Sequence, residues 1–178
     1  IGTYNLLKTA KKYWDNLSQK RQKRFRFIHI STDEVFGSLG LSNKFSEKSP
    51  YAPRSPYSSS KASSDLLVKS WFHTYKLPII VTNCCNNYGP GQYPEKLIPL
   101  AIENALNNKP IPVYGSGSNI REWIYIDDHI EALIKVSTLG KIGESYCIGS
   151  GIELTNLEMV KKICSLLNKI KHNTNDYE

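Results

Sequence analysis

The chain has 178 residues, of which 40% are hydrophobic and 22% are charged, so it is long enough for a domain with its own core. No apolar run approaches the roughly 20 residues that cross a bilayer, and no secretory signal pattern is present. Composition therefore favours a soluble cytoplasmic protein with no membrane partner over a membrane or secreted protein.

The formal net charge of +7 is concentrated in residues 20–26, between a predicted helix and a predicted strand. Such a stretch can be a nucleic-acid-binding patch or a solvated connector. We favour the connector and expect no nucleic-acid partner, because no known nucleic-acid-binding module follows. The four cysteines form no Cys-x-x-Cys pair and no histidine complements them, so we expect reduced, buried thiols and no metal site.

Hydrophobic periodicity and turn residues predict alternating helices and strands, and strands separated by helices of this length indicate an α/β fold with a parallel sheet. In chain order, the predictions are helix 2–14, strand 25–30, loop 37–54, helix 56–75, strand 77–85, turn 86–91, helix 95–107, strand 111–114, turn 115–118, strand 121–126, helix 127–137 capped by Asp127, strand 145–148, and helix 155–169. Thr155 and Glu158 have the spacing of a capping box for the last helix.

The start of the second helix carries a candidate catalytic pair. Ser55 and Pro56 are typical first residues of a helix, which places Tyr57 and Lys61 one turn apart on the same face. A neighbouring ammonium favours the phenolate, so we expect Lys61 to lower the pKa of Tyr57 and make it a usable general base. The same spacing also arises by chance, as an exposed tyrosine beside a solvated lysine.

Polar residues also follow two predicted strands at their carboxyl ends, where ligands bind in open α/β sheets. Together with the helix pair they form three clusters that should converge on one mouth of the sheet. The clusters are Thr32 with Asp33 and Glu34, Tyr57 with Lys61, and Asn83 with Asn86 and Asn87.

Four segments carry a family resemblance over nearly the whole chain, from Gly2 to about Leu167. They are residues 29–37 (HISTDEVFG), 55–65 (SPYSSSKASSD), 83–90 (NCCNNYGP) and 94–99 (PEKLIP). The sequence resembles the extended short-chain dehydrogenase/reductases, and within them the dTDP-glucose 4,6-dehydratase family. Thr-Asp-Glu is the specific element, because related epimerases usually carry small residues in place of Asp33 and Glu34.

The resemblance implies an NAD-dependent lyase. Tyr57, assisted by Lys61, would take the proton of the glucose 4-hydroxyl while Thr32 binds the 4-oxygen and hydride passes to NAD. Glu34 would then remove the C5 proton, protonated Asp33 would donate to the departing 6-hydroxyl, and hydride would return to C6. The chemistry needs one ionised and one protonated carboxyl, and two adjacent carboxyls cannot easily both ionise. A solvated turn is the alternative for Asp33 and Glu34.

The same resemblance implies two sets of binding residues. For NAD they are Ser31, Tyr57, Lys61 and Asn87. For the sugar nucleotide they are Thr32, Asn86, Lys96, Leu97, Pro112, Tyr114, Arg121 and Asn156. Among these, Lys96 and Arg121 would neutralise the diphosphate of dTDP-glucose.

The family pattern also predicts the domain organisation. Residues 1–90 correspond to the second half of a Rossmann-type NAD domain, and residues 91–178 mostly to the substrate region, interleaved with returning Rossmann elements. The Gly-x-Gly-x-x-Gly turn that binds a dinucleotide pyrophosphate is absent, so we expect a fragment whose strand 25–30 has lost a neighbour. A separate chain could supply the missing half, and helices 2–14 and 56–75 resemble a homodimer interface.

Three functions remain open from the sequence. The chain can be a dTDP-glucose dehydratase or the C-terminal part of a split one. It can be a non-catalytic remnant that acts as a scaffold, because the glycine-rich motif is absent. It can also be a related UDP-sugar dehydratase or epimerase.

Overall fold

The structure is a computed structural model that describes residues 1–39 and 44–174, with side chains up to residue 170. Residues 40–43 of the predicted loop 37–54 and residues 175–178 lie outside the described residues. The chain forms two compact units. The first contains residues 1–85 and 128–148, and the second contains residues 86–127 and 149–178.

Helices and strands are mixed along the chain, as predicted for an α/β fold. They are α1 (Gly2–Asp15), α2 (Gln19–Gln22), β1 (Phe27–Thr32), α3 (Pro56–Tyr75), β2 (Ile79–Cys84), β3 (Asn86–Tyr88), α4 (Leu97–Leu106), β4 (Ile120–Tyr125), α5 (Ile126–Leu139), β5 (Ser145–Ile148), β6 (Glu153–Thr155) and α6 (Asn156–Thr174). A 3-10 turn, Asp33–Phe36, follows β1 directly. Within the described part of the chain, no helix combines the length and apolar content of a membrane span.

The first unit contains a three-stranded parallel sheet in the order β1-β2-β5. All six residues of β2 are buried, as expected for the central strand of a covered parallel sheet. β1 is an edge strand of this sheet, and the side chain of Ile30 is 48% exposed. The core beside the sheet joins α1, α3 and β2 through Leu7, Val68, Trp71, Leu77, Ile79 and Val81.

The second unit pairs β3 with β4 in parallel and β4 with β6 antiparallel. Helices α4 and α6 pack through a separate apolar cluster centred on Ala101, Val160 and Ile163. The predicted capping box opens α6, because Glu158 N donates to Thr155 Oγ1 at 3.1 Å and Thr155 N donates to Glu158 Oε2 at 2.8 Å.

Several local predictions are wrong. Residues 111–114 form no strand, because Pro110 and Pro112 remove the N–H donors that a ladder needs. Residues 86–88 form strand β3 where a turn was predicted, since pairing with β4 outweighs the turn preference of asparagine. Asp127 lies inside α5 and does not cap it. Strand β6 has only three residues, too few for a recognisable alternation.

Candidate active site

The first group of predicted catalytic residues lies where β1 ends in the first unit. Thr32 is the last residue of β1 and caps the 3-10 turn that follows, because Glu34 N donates to its Oγ1 at 3.3 Å. The Thr32 hydroxyl in turn donates to Asp33 Oδ1 at 3.2 Å. This cap holds the backbone of Thr32, Asp33 and Glu34 in one tight turn at the carboxyl end of the sheet.

The second group lies in the first two turns of α3. Ser55 caps this helix by accepting from Ser58 N at 3.0 Å, and Ser58 Oγ accepts from Ser55 N at 3.0 Å. The reciprocal pair fixes the first turn, which carries Tyr57. Lys61 Nζ donates to the carbonyl oxygen of Ile30 at 2.8 Å and so ties α3 to β1.

The electrostatics of Tyr57 differ from the sequence-based expectation. Its pKa is raised, first by burial and then by the negative charges of Glu34, Cys84 and Asp33. The prediction that Lys61 lowers the pKa of Tyr57 is therefore wrong for this structure. The physical reason is that the ammonium binds a backbone carbonyl while two carboxyls act on the phenol.

The same interactions show which predicted residues come together. The charges of both Glu34 and Asp33 contribute to the raised pKa of Tyr57, so the phenol lies within electrostatic range of the two carboxyls. Tyr57 is nevertheless 56% exposed, so the residue as a whole is accessible from solvent. Ser31 is buried beside them in β1, and its hydroxyl oxygen has no hydrogen-bond partner among the described residues.

Asn83 has a different place from the one predicted. Its side chain is buried, and Nδ2 donates to the carbonyl oxygen of Thr32 at 3.1 Å and to Asp65 Oδ2 at 3.1 Å. Asn83 therefore lies in the interior, where its side chain links the end of β1 to Asp65 on α3. Sequence reasoning did not single out Asp65, although its position four residues after Lys61 and eight after Tyr57 places it along the same side of α3.

The predicted substrate residues other than Thr32 all lie in the second unit, as does Asn87. Asn86 and Asn87 belong to β3, and Arg121 to β4. The remaining residues occupy the start of α4 (Lys96, Leu97), the segment before β4 (Pro112, Tyr114) and the start of α6 (Asn156). Their role in binding stays a prediction.

Residues that could hold a dinucleotide are present at the end of β1. Tyr57 and Lys61 provide a hydroxyl and an ammonium, and the buried Ser31 hydroxyl is an unsatisfied polar group at the same edge. Among the side chains of residues 1–39 and 44–170, no group of three or more histidine, cysteine, aspartate or glutamate residues is placed to hold a metal ion.

Comparison with known proteins gives the family. The profile of the family described as GDP-mannose 4,6 dehydratase matches residues 1–178. The dTDP-glucose 4,6-dehydratase of Neisseria gonorrhoeae is 56% identical over 171 residues, 96% of this chain and 49% of the relative. A probable dTDP-glucose 4,6-dehydratase of Sinorhizobium fredii is 53% identical over 99% of this chain and 50% of the relative.

Solved structures agree with this assignment. The crystal structure of dTDP-glucose 4,6-dehydratase from Bacillus anthracis in complex with NAD superposes with a TM-score of 0.87. The two sequences are 49% identical, and the match covers 94% of this chain and 51% of that one. The predicted Rossmann-like fold class and the resemblance to dTDP-glucose 4,6-dehydratases are confirmed. The chain spans about half the length of the curated relatives it matches, and it belongs to the GDP-mannose 4,6 dehydratase family.

Proposed function

We propose that this chain carries the catalytic residues of an NAD-dependent dTDP-glucose 4,6-dehydratase. The observation that supports this most directly is the neighbourhood of Tyr57 with Asp33 and Glu34 at the carboxyl end of a parallel sheet. A phenol and two carboxyls are the groups that oxidation at C4 and elimination across C5 and C6 require. The dehydratases of the same name among its relatives agree with this reading.

NAD, when bound, supplies the hydride acceptor at C4 and the hydride donor at C6. Tyr57, Lys61 and Ser31 would hold it at the end of β1, and Asn87 of the second unit is the fourth predicted contact. The raised pKa of Tyr57 means that the phenol alone is a poor base near neutral pH. A positively charged group beside the phenol favours the phenolate, so cofactor binding would help to lower this pKa.

Each of the protein's own catalytic residues then carries out a separate step of the reaction. Tyr57 takes the proton of the 4-hydroxyl, and the Thr32 hydroxyl hydrogen-bonds the 4-oxygen. The resulting ketone acidifies the neighbouring C5–H bond, and Glu34 removes that proton. Asp33 gives its proton to the 6-hydroxyl, which leaves as water. Once C6 has received the hydride, Glu34 returns its proton to C5. The sugar has then lost one water and gained no net electrons, so the product is a 4-keto-6-deoxy sugar nucleotide.

The second unit would supply the contacts to the nucleotide. Arg121 and Lys96 carry the positive charges that a diphosphate needs, and a guanidinium can bind two phosphate oxygens at once. Tyr114 is 84% exposed, so its ring is available to contact a ligand. The remaining predicted contacts are Asn86, Leu97, Pro112 and Asn156.

The partners of the chain also remain proposals. Exposed apolar side chains on α1 and α3, among them Leu6, Tyr13 and Leu66, are consistent with the predicted homodimer through these helices. Sedimentation of the 178-residue chain over a range of concentrations would show whether it associates with itself.

A hybrid enzyme tests the function of this chain in the context of a full-length dehydratase. In the hybrid, this chain replaces the matching segment of the N. gonorrhoeae dehydratase, and dTDP-glucose is supplied with NAD. We expect a 4-keto-6-deoxy product, detected by NMR. A 4-epimer without loss of the 6-hydroxyl would indicate an epimerase, and no turnover would support a non-catalytic remnant.

Two variants of the hybrid test the roles of the residues. Tyr57→Phe should abolish reduction of NAD, whereas Tyr75→Phe at the far end of the same helix should not affect it. Glu34→Gln should leave the first oxidation intact and block the entry of solvent deuterium at C5. Undiminished NAD reduction in Tyr57→Phe, or full deuterium entry in Glu34→Gln, would contradict these assignments.

A further inference from the structure

The least exposed charged side chain described in the structure has no part in the chemistry proposed above. Asp65 lies on α3 and is 0% exposed. Three groups surround its carboxylate: His29 Nε2 lies 3.0 Å from Oδ1, while Tyr51 Oη at 3.2 Å and Asn83 Nδ2 at 3.1 Å donate to Oδ2. A buried carboxylate is costly unless its oxygens are hydrogen-bonded, and among the described residues Tyr51 and Asn83 supply these bonds to Oδ2.

Two of these partners contact the residues at the two ends of the turn that carries Asp33 and Glu34. On one side, Asn83 Nδ2 also donates to the carbonyl oxygen of Thr32 at 3.1 Å. On the other side, the ring of Tyr51 stacks on Phe36 with a centroid distance of 5.6 Å. The backbone confirms the second link, because Ala52 N donates to the carbonyl oxygen of Val35 at 2.9 Å.

The Tyr51 hydroxyl stays a donor to Asp65. Burial, followed by the Asp65 charge, raises the pKa of Tyr51 above its usual range. Lys69 Nζ donates to the same hydroxyl oxygen at 3.0 Å and lies 4.8 Å from the ring centroid, so the phenol both accepts and donates. The loop that contains Tyr51 is thereby tied to α3 at two positions.

We propose that Asp65 is a positioning residue that fixes the Thr32-Asp33-Glu34 turn from the protein interior. Its carboxylate holds Asn83 against the start of the turn and Tyr51 against its end, while α3 carries Tyr57 and Lys61 two turns and one turn earlier. One helix therefore presents the phenol and also sets the place of the carboxyls. Asp65 touches none of the reacting groups itself, so it acts through Asn83 and Tyr51.

Substitution by asparagine separates this role from simple space filling. Asp65→Asn keeps the shape of the side chain but replaces one acceptor oxygen by an NH2 group. An NH2 group in the place of Oδ2 removes the acceptor of Tyr51 and Asn83, and one in the place of Oδ1 faces His29 Nε2. The substitution therefore disturbs at least one of the three contacts. The matched control is Asp15→Asn on α1, where the carboxylate makes only an exposed ion pair with Lys11 at 2.6 Å.

Hydrogen exchange of the 178-residue chain tests the inference without any assumption about activity. Asp65→Asn should speed exchange of the Gly37 and Ala52 amides by about 10-fold or more relative to the unchanged chain. Both amides bond within or to the turn, at 3.2 and 2.9 Å. The Val81 amide, in the sheet core of the same unit, should keep its rate, and Asp15→Asn should change none of the three. Equal acceleration at all three amides, or none, would overturn the proposal.

Tyr51→Phe provides a second variant, because it removes only one hydroxyl and keeps the stacking ring. It should accelerate exchange at Ala52 and leave Val81 unchanged. An unchanged Ala52 rate in Tyr51→Phe would overturn the link through the loop even if Asp65→Asn fails to fold.

The kinetic arm uses the hybrid enzyme and rests on the proposed function. Asp65→Asn should lower kcat by about 10- to 100-fold and leave KM within about two-fold, because a small displacement of catalytic groups costs rate more than binding. Deuterium entry at C5 should slow by the same factor, and the first reduction of NAD by less. Equal slowing of both steps would indicate general damage and count against the proposal. If the unchanged hybrid makes no product, the dehydratase function fails, and the exchange rates still decide the role of Asp65.

Discussion

The start of α3 gives a prediction that can be worked out bond by bond. Ser58 is the third residue of the helix and is 1% exposed. Its Oγ accepts from Ser55 N at 3.0 Å and from Arg54 N at 3.2 Å, and it lies 2.9 Å from Ser55 Oγ. Ser58→Ala removes the acceptor for two backbone N–H groups at the point where the chain enters the helix.

The expected loss of stability in Ser58→Ala follows from these hydrogen bonds. Each hydrogen bond contributes about 0.5–1.5 kcal/mol net, so the loss of two should cost about 1–3 kcal/mol. The higher helix propensity of alanine returns up to about 0.5 kcal/mol. Ser63 lies in the same helix, where its exposed Oγ only donates back to the carbonyl oxygen of Ser59 at 2.9 Å. Ser63→Ala should therefore be neutral or slightly stabilising.

Urea denaturation followed by circular dichroism measures the free energy of unfolding of both variants. An unchanged denaturant slope shows that the comparison reports stability and not a change in the unfolded state. We expect Ser58→Ala to be less stable than Ser63→Ala by about 2 kcal/mol. A difference below about 0.5 kcal/mol would refute the capping argument, because surface substitutions commonly vary by that amount.

Two further substitutions test the core and the acid response. Leu7 is fully buried and its neighbour Leu6 is 64% exposed, so in urea denaturation Leu7→Ala should lose about 2–5 kcal/mol and Leu6→Ala should lose little. Comparable losses at both positions would contradict the packing of α1. The Glu47 carboxylate accepts from Cys147 N at 2.9 Å, which lowers its pKa from the ordinary 4.5. Its contribution is therefore present above pH 4.5 and disappears as the pH falls through the lowered value. In thermal melts across this range, Glu47→Gln should be slightly less stable at neutral pH and equal to the unchanged chain in acid; a constant difference would contradict the assignment.

Local sequence signals predicted most of the first unit because they act over short distances. Ser55 and Pro56 predicted the start of α3 at the observed residue, and the apolar run before Cys84 predicted the buried strand β2. The predictions fail where pairing between residues far apart in the sequence determines the local structure. Strand β3 forms on residues with turn preference, because β4 provides a partner that no local rule anticipates.

The same distinction between local and long-range interactions explains which features of the candidate site could be predicted. Spacing alone predicted that Tyr57 and Lys61 share a face of α3, and both do. Spacing could not predict that Lys61 would bind the carbonyl oxygen of Ile30, 31 residues away. Nor could it predict that burial, followed by the charges of Glu34, Cys84 and Asp33, would raise the pKa of the phenol.

The raised pKa of Tyr57 also bears on how such a site would work. Two carboxyls beside a phenol oppose its ionisation, so the arrangement suits elimination at the expense of the first proton transfer. A site built only for oxidation and reduction at C4 gains nothing from these carboxyls. Their contribution to the pKa of Tyr57 therefore supports the proposed dehydratase function over an epimerase. The catalytic conflict is resolved if a cationic ligand beside the phenol offsets their charge, because the same carboxyls can then act at C5 and C6.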